Sequence, residues 1–200
     1  MHPFHGPGRR QRMERLIMAR PMTSLLDKEI LLATDMIQPG SDRWVGALVD
    51  CGHFVPARDD RTVAWRAIDR RGVLFWLVTS RFEAMRYHAT TPGPHAALAE
   101  AATAFARRRS ARRHWPEIQT LRADLLHFRR RLTVTRADAQ TGGLSLLAIA
   151  SFCDRLGLGG RPGIPGWLAA MLMRLEPDIG FALLAAAHRQ GGGPAPALAA

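Results

Sequence analysis

Asp50, Cys51 and His53 are the densest group of reactive side-chain types in the chain. In an extended segment Cys51 and His53 share one face and Asp50 takes the other, which would set a thiol beside a base. A neighbouring imidazole lowers a thiol pKa. Nucleophilic catalysis also needs an oxyanion donor and an orienting group, and no residue declares itself as either. The competing account is a small buried cysteine continuing the Val45, Ala47, Val49 face, followed by a turn at Gly52 and His53. Cysteine is among the most buried residue types, so that account is preferred and an enzyme is the least favoured reading.

Other chemistries are weaker. Zinc needs three or four ligands at paired spacings, and Cys51 with His53 has no second pair. His88, His95, His114 and His127 are separated by helix or loop lengths, while His2 and His5 lie in a Gly/Pro-rich leader. The glycines from Gly157 to Gly166 lack the lysine and the order of a phosphate loop. Trp167, Met171 and Met173 are expected in a core. No metal and no cofactor are expected.

Charge is the distinctive feature. The 200 residues carry 28 basic and 17 acidic groups, a formal net charge of +11, and Lys28 is the only lysine. Arginine in place of lysine, with abundant alanine and glycine, is what GC-rich codons produce, so the bias alone says little. Its location says more. Residues 1–80 hold 12 basic and 9 acidic groups, residues 136–200 hold 5 and 4, and residues 81–135 hold 11 and 4. Guanidinium groups stay charged and donate in a planar fork that suits phosphate. Arg107, Arg108, Arg109, Arg112, Arg113, Arg129, Arg130 and Arg131 are therefore the candidate nucleic-acid-binding residues.

The competing account is that arginines near helix C-termini oppose the macrodipole and solvate a face. On a wheel with Leu98 at zero, the five residues from Arg107 to Arg113 fall at about 180°, 280°, 20°, 320° and 60° and encircle the helix. An antiparallel return would put Arg129 to Arg131 about 20 Å away, so one continuous groove is not expected. A helix-turn-helix over Leu144 to Leu175 would need Gly157 to Gly166 as its turn, which is too long, and its second helix offers little beyond Arg174 to read bases.

Hydrophobic spacing supplies the elements that carry these residues. Ser24 precedes a helix with Leu26, Ile30, Ala33 and Ile37 on its apolar face, ended by Pro39 and Gly40. From Trp44 to Thr79 the period changes to two, and Val73 to Val78 is unbroken apolar. This predicts a three-stranded antiparallel meander over 44–79, its third strand the most buried. Helices are expected at 96–113, from Pro116 through the seam Ile118, Leu121, Leu125, Phe128 and Leu132, then at 144–156, from Pro165, and at 179–188, with a short strand at 132–135.

The expected fold is α+β: the meander packed with an N-terminal helix and a C-terminal helical portion. Residues 1–9 read as a flexible leader, 10–190 as a single domain with 142–190 as a candidate helical subdomain, and 191–200 as a flexible tail. No apolar run reaches membrane-spanning length, and two cysteines are not a disulfide framework, so a cytoplasmic location is expected. The favoured function is a non-catalytic binding or regulatory protein whose arginine-rich window contacts an acidic partner, with nucleic acid the leading kind. The alternative is a protein interaction or self-association module using apolar C-terminal helices.

Overall fold

The computed structural model describes residues 37–39, 44–59, 61–69 and 71–191, with the backbone alone at 37–39 and 51–53. The expected leader, the N-terminal helix up to residue 36 and the tail beyond Gly191 lie outside the described residues. The protein is α+β, and it forms two compact units, Met1–Ala101 and Ala102–Ala200.

The first unit contains a five-stranded antiparallel meander in sequential order: β1 (Ile37–Pro39), β2 (Leu48–Pro56), β3 (Thr62–Ile68), β4 (Leu74–Ser80) and β5 (Arg86–Ala89). Three strands over 44–79 were expected, and the sheet gains one at each edge. Ile37, assigned by spacing to the end of a helix, pairs with Asp50 in the ladder instead. On the other side β5, in a stretch for which no element was expected, returns antiparallel to β4. Strand β4 has strands on both sides, and Phe75, Trp76, Leu77 and Val78 are all buried, as its unbroken apolar run requires.

Local chemistry closes the hairpins. Asp69 is buried and its Oδ1 accepts the backbone N–H groups of Arg71 (2.8 Å) and Val73 (2.7 Å), while Gly72 takes φ 80°. Asp59 Oδ1 accepts the Arg61 N–H at 3.0 Å in the preceding turn. These are the side-chain-to-backbone bonds that favour aspartate in turns.

Helix α1 (Pro94–Arg113) follows, with proline at its first position, where no intrahelical donor is lost. The second unit continues with α2 (Trp115–Leu126), β6 (Thr133–Thr135), α3 (Arg136–Thr141), α4 (Leu146–Arg155), β7 (Gly163–Pro165), α5 (Gly166–Leu172) and α6 (Ile179–Gln190). Strands β6 and β7 pair antiparallel, Val134 opposite Ile164, and each runs directly into a helix. Helix α6 is central: Phe181, Leu183, Leu184 and Ala187 are buried with Ile118, Leu121 and Leu125 of α2 and Ala169 and Ala170 of α5. The α6 face is therefore part of this unit's own core.

Two expectations need correction here. The seam through Phe128 stops early, because α2 ends at Leu126 and Phe128 is exposed. Trp167 and Met171, expected in a core, are exposed, and of the three only Met173 is buried. The stretch before Pro165, already too long for a helix-turn-helix linker, contains β7. The short connection is instead 142–145, between α3 and α4, where Ser145 caps α4 by accepting the Ala148 N–H at 3.3 Å.

Three helices of this unit end with the same hydrogen-bond pattern. After α3, Leu144 N–H reaches Ala139 O and Gly143 N–H reaches Gln140 O. After α4, Leu158 N–H reaches Cys153 O and Gly157 N–H reaches Asp154 O. After α2, Arg129 N–H reaches Asp124 O and Phe128 N–H reaches Leu125 O. This is the Schellman closure, which places one residue in the left-handed region, usually glycine. Gly143 (φ 89°) and Gly157 (φ 67°) follow the rule, whereas Phe128 (φ 55°) does not.

Candidate functional site

The eight candidate arginines do not form one set. Arg108 is 5% exposed, and its Nε donates to the Gly143 carbonyl at 3.0 Å while Nη1 lies 3.6 Å from Asp178 Oδ2. It is a structural residue. Arg107 is half-buried and its Nη1 reaches Gln140 O at 3.5 Å. The remaining three on α1, Arg109, Arg112 and Arg113, are exposed, and their spacing confines them to an arc of about 100°. The five arginines encircle the helix in sequence, but once the inward pair is set aside one outward face remains.

The signal for Arg108 is in the sequence. Ala104, Phe105, Arg108 and Ala111 recur at three- and four-residue spacing and are all buried, so the apolar stripe of α1 passes through Arg108. An arginine on such a stripe must find internal acceptors. We expect Arg108→Leu to lower stability by about 2 kcal/mol in denaturant melts, since Asp178 and the Gly143 carbonyl lose their partner.

Arg129, Arg130 and Arg131 are exposed in the loop after α2, with Arg129 Nη1 4.0 Å from Asp124 Oδ1. Helix α2 spans 12 residues, so they lie about 18 Å along its axis from the end of α1. The two clusters are therefore separate.

Two further arginines, absent from the candidate set, line an open cleft of about 430 Å³ formed by Thr135, Arg136, Ala137, Gly159, Gly160, Arg161 and Pro162. Arg136 donates to the Gly159 carbonyl and so fastens the loop before β7 to the start of α3. The pairing of β6 with β7 brings these segments together across more than twenty residues of sequence, which local spacing does not reveal.

Carboxylates in this unit are largely turned to structural work. Asp138 is 3% exposed, and Arg189 Nε donates to its Oδ1 at 2.7 Å. Burial pushes the Asp138 carboxyl up, but the hydrogen bonds from Arg189 and Thr135 and the Arg189 charge outweigh it, holding the group below its ordinary range. Asp178 faces Arg108. Among the described residues from 102 to 191, eleven arginines are exposed against two carboxylates, Glu117 and Asp154. The outer surface of the unit is therefore strongly basic.

The reactive candidates gain no constellation. The side chains of Cys51 and His53 lie outside the described residues, and the β2–β3 ladder shifts register there: Asp50 pairs with Arg66 and Phe54 with Trp65. Strict alternation, the premise for setting Cys51 and His53 on one face, does not run through this stretch. Burial pushes the Cys153 thiol up, with the nearby Arg136 charge opposing and Asp154 reinforcing, so it is a poor nucleophile near neutral pH. Among the described residues no three His, Cys, Asp or Glu side chains gather to hold a metal, and no helix is long and apolar enough to cross a membrane.

Helix α4 lacks the features of a base-reading helix. Leu146 is exposed at its start, Ser145 is occupied as the cap, and Ser151 is the one polar side chain before Asp154.

Fold and surface together define an α+β protein with a basic helical unit. No family model matches the chain, and the comparisons with curated proteins and with solved structures give no match.

Proposed function

We infer that this is a non-catalytic binding protein whose second unit contacts an acidic macromolecule, nucleic acid foremost, through the phosphate backbone. The observation that carries the reading is the ratio of eleven exposed arginines to two exposed carboxylates in that unit. Such a surface attracts polyanions from a distance, and guanidinium forks then bind phosphate at close range. Arg109, Arg112 and Arg113 make one contact face and Arg129, Arg130 and Arg131 another. The base-poor surface of α4 favours contacts that are indifferent to sequence.

The test is the salt dependence of binding, followed by anisotropy of labelled duplex DNA and of single-stranded oligonucleotides. The wild-type protein is expected to lose affinity steeply with salt. Replacing Arg109, Arg112 and Arg113 together by Ala should flatten the logarithmic slope on duplex by up to about 0.9 for each phosphate contact removed. Replacing Arg129, Arg130 and Arg131 should act similarly, whereas Arg108→Leu should leave the slope unchanged. A slope untouched by both triple replacements eliminates these arginines as the contact. The alternative, an assembly module, draws support from exposed Trp167, Met171 and Leu175 along and just beyond α5, and predicts a mass that rises with concentration and ignores the arginine replacements.

A further inference from the structure

We propose that Phe128 and Trp167 form a base-stacking platform for single-stranded nucleic acid, with Arg129, Arg130 and Arg131 holding the adjoining phosphates; this rests on the polyanion-binding reading above. Phe128 is 70% exposed and Trp167 40%, and their ring centroids are 6.4 Å apart at an interplanar angle of 48°. Met171, one turn along α5 from Trp167, is exposed as well. Large apolar side chains grouped on the outside of a charged unit call for an explanation that a single exposed residue would not.

The backbone adds an independent argument. Phe128 occupies the left-handed position of a helix closure that the same unit twice gives to glycine, at Gly143 and Gly157. A bulky residue is disfavoured there, and its ring makes no compensating burial. Folding alone would be better served by glycine. Strained positions of this kind cluster where a side chain is displayed for binding.

Charge decides the occupant. Three guanidinium groups follow the ring without interruption, and among the described residues Arg130 and Arg131 have no carboxylate partner. A single strand presents unpaired base faces alternating with phosphates, which matches aromatic faces beside guanidinium groups. A duplex encloses its base faces, so it engages the arginines without the rings.

The full-length protein should be titrated with a labelled oligothymidylate and with an abasic oligonucleotide of equal length. Phe128→Gly is expected to weaken oligothymidylate binding about five- to hundredfold. It should leave the salt slope and duplex affinity unchanged and leave the melting temperature equal or higher. The wild-type protein should bind the abasic strand at least as weakly as the variant binds oligothymidylate, since both rings then lose their base. Trp167→Leu, which keeps an apolar side chain but removes the ring, should weaken oligothymidylate binding in the same direction. Equal affinity of the wild-type protein for the two strands would overturn the platform while leaving polyanion binding intact, and that comparison needs no variant. Failure to bind any oligonucleotide would overturn the underlying reading as well. Loss of a concentration-dependent self-association in Phe128→Gly, with oligothymidylate affinity unchanged, would make the pair a protein contact and overturn the proposal.

Discussion

Gly143→Ala is expected to destabilise the protein by about 3 kcal/mol, lowering the melting temperature by roughly 10 °C. Two costs combine. A side chain at φ 89° is strained wherever it sits, and a Cβ placed here would lie 2.6 Å from the Ala104 carbonyl oxygen and 3.1 Å from Arg108 Cγ. The carbonyl belongs to the backbone of α1 and cannot rotate away, so relief requires α1 to shift from the turn after α3. That shift would also pull Arg108 Nε from the Gly143 carbonyl it binds at 3.0 Å. Gly157→Ala is the matched control: it has the same closure and φ 67°, but nothing lies within 4 Å of its added Cβ. It should lose only the backbone strain, about 1 kcal/mol. If the two variants melt together, the close approach at Gly143 contributes nothing and the account of that junction is wrong.

How far such features can be read from sequence depends on whether their cause is local. Pro116 marked the start of α2, because proline geometry acts over a few residues, and the bonds from Asp69 that close the β3–β4 turn are equally local. The apolar run of β4 was equally plain. Strand β5 was missed because four residues, Arg86–Ala89, carry no periodicity of their own and are ordered by the open edge of β4. Helix α3 was missed because RADAQT is short and polar, although Thr135 followed three residues later by Asp138 is a capping-box spacing that could have disclosed it.

The candidate site divides in the same way. Arginine density is a local property and was found directly, yet density does not distinguish Arg108 from Arg109. The distinction lies in which neighbours share the helical stripe, and that was present in Ala104, Phe105 and Ala111. The Arg136–Arg161 cleft depends on β6 meeting β7, and the Phe128–Trp167 pair depends on the loop after α2 meeting the start of α5. Neither meeting has a signature in the residues concerned.

Asp138 should make the stability of the second unit sensitive to acid, and its replacement should be the other large effect. Its Oδ2 accepts the Thr135 N–H and hydroxyl, each at 2.8 Å, and Arg189 Nη2 at 2.8 Å, while Oδ1 accepts Arg189 Nε at 2.7 Å. One carboxylate thus joins the end of β6, the start of α3 and the end of α6. Its pKa in the folded protein lies below that of an unfolded aspartate, about 3.9. A depressed acid stabilises the fold fully above the unfolded value and loses that contribution as pH falls through the folded one. Wild-type stability should therefore decline below about pH 4 more steeply than that of Asp138→Asn, which has no such proton to take up. At neutral pH, Asp138→Asn should cost about 2 kcal/mol, because an amide cannot accept both Arg189 donors and the two Thr135 bonds; the solvent exposure of Arg189 keeps the loss below that of a fully buried pair. Denaturant melts of both proteins at neutral and acid pH measure the difference. Parallel loss in the two would mean that the Asp138 carboxylate is not what secures α3 to α6.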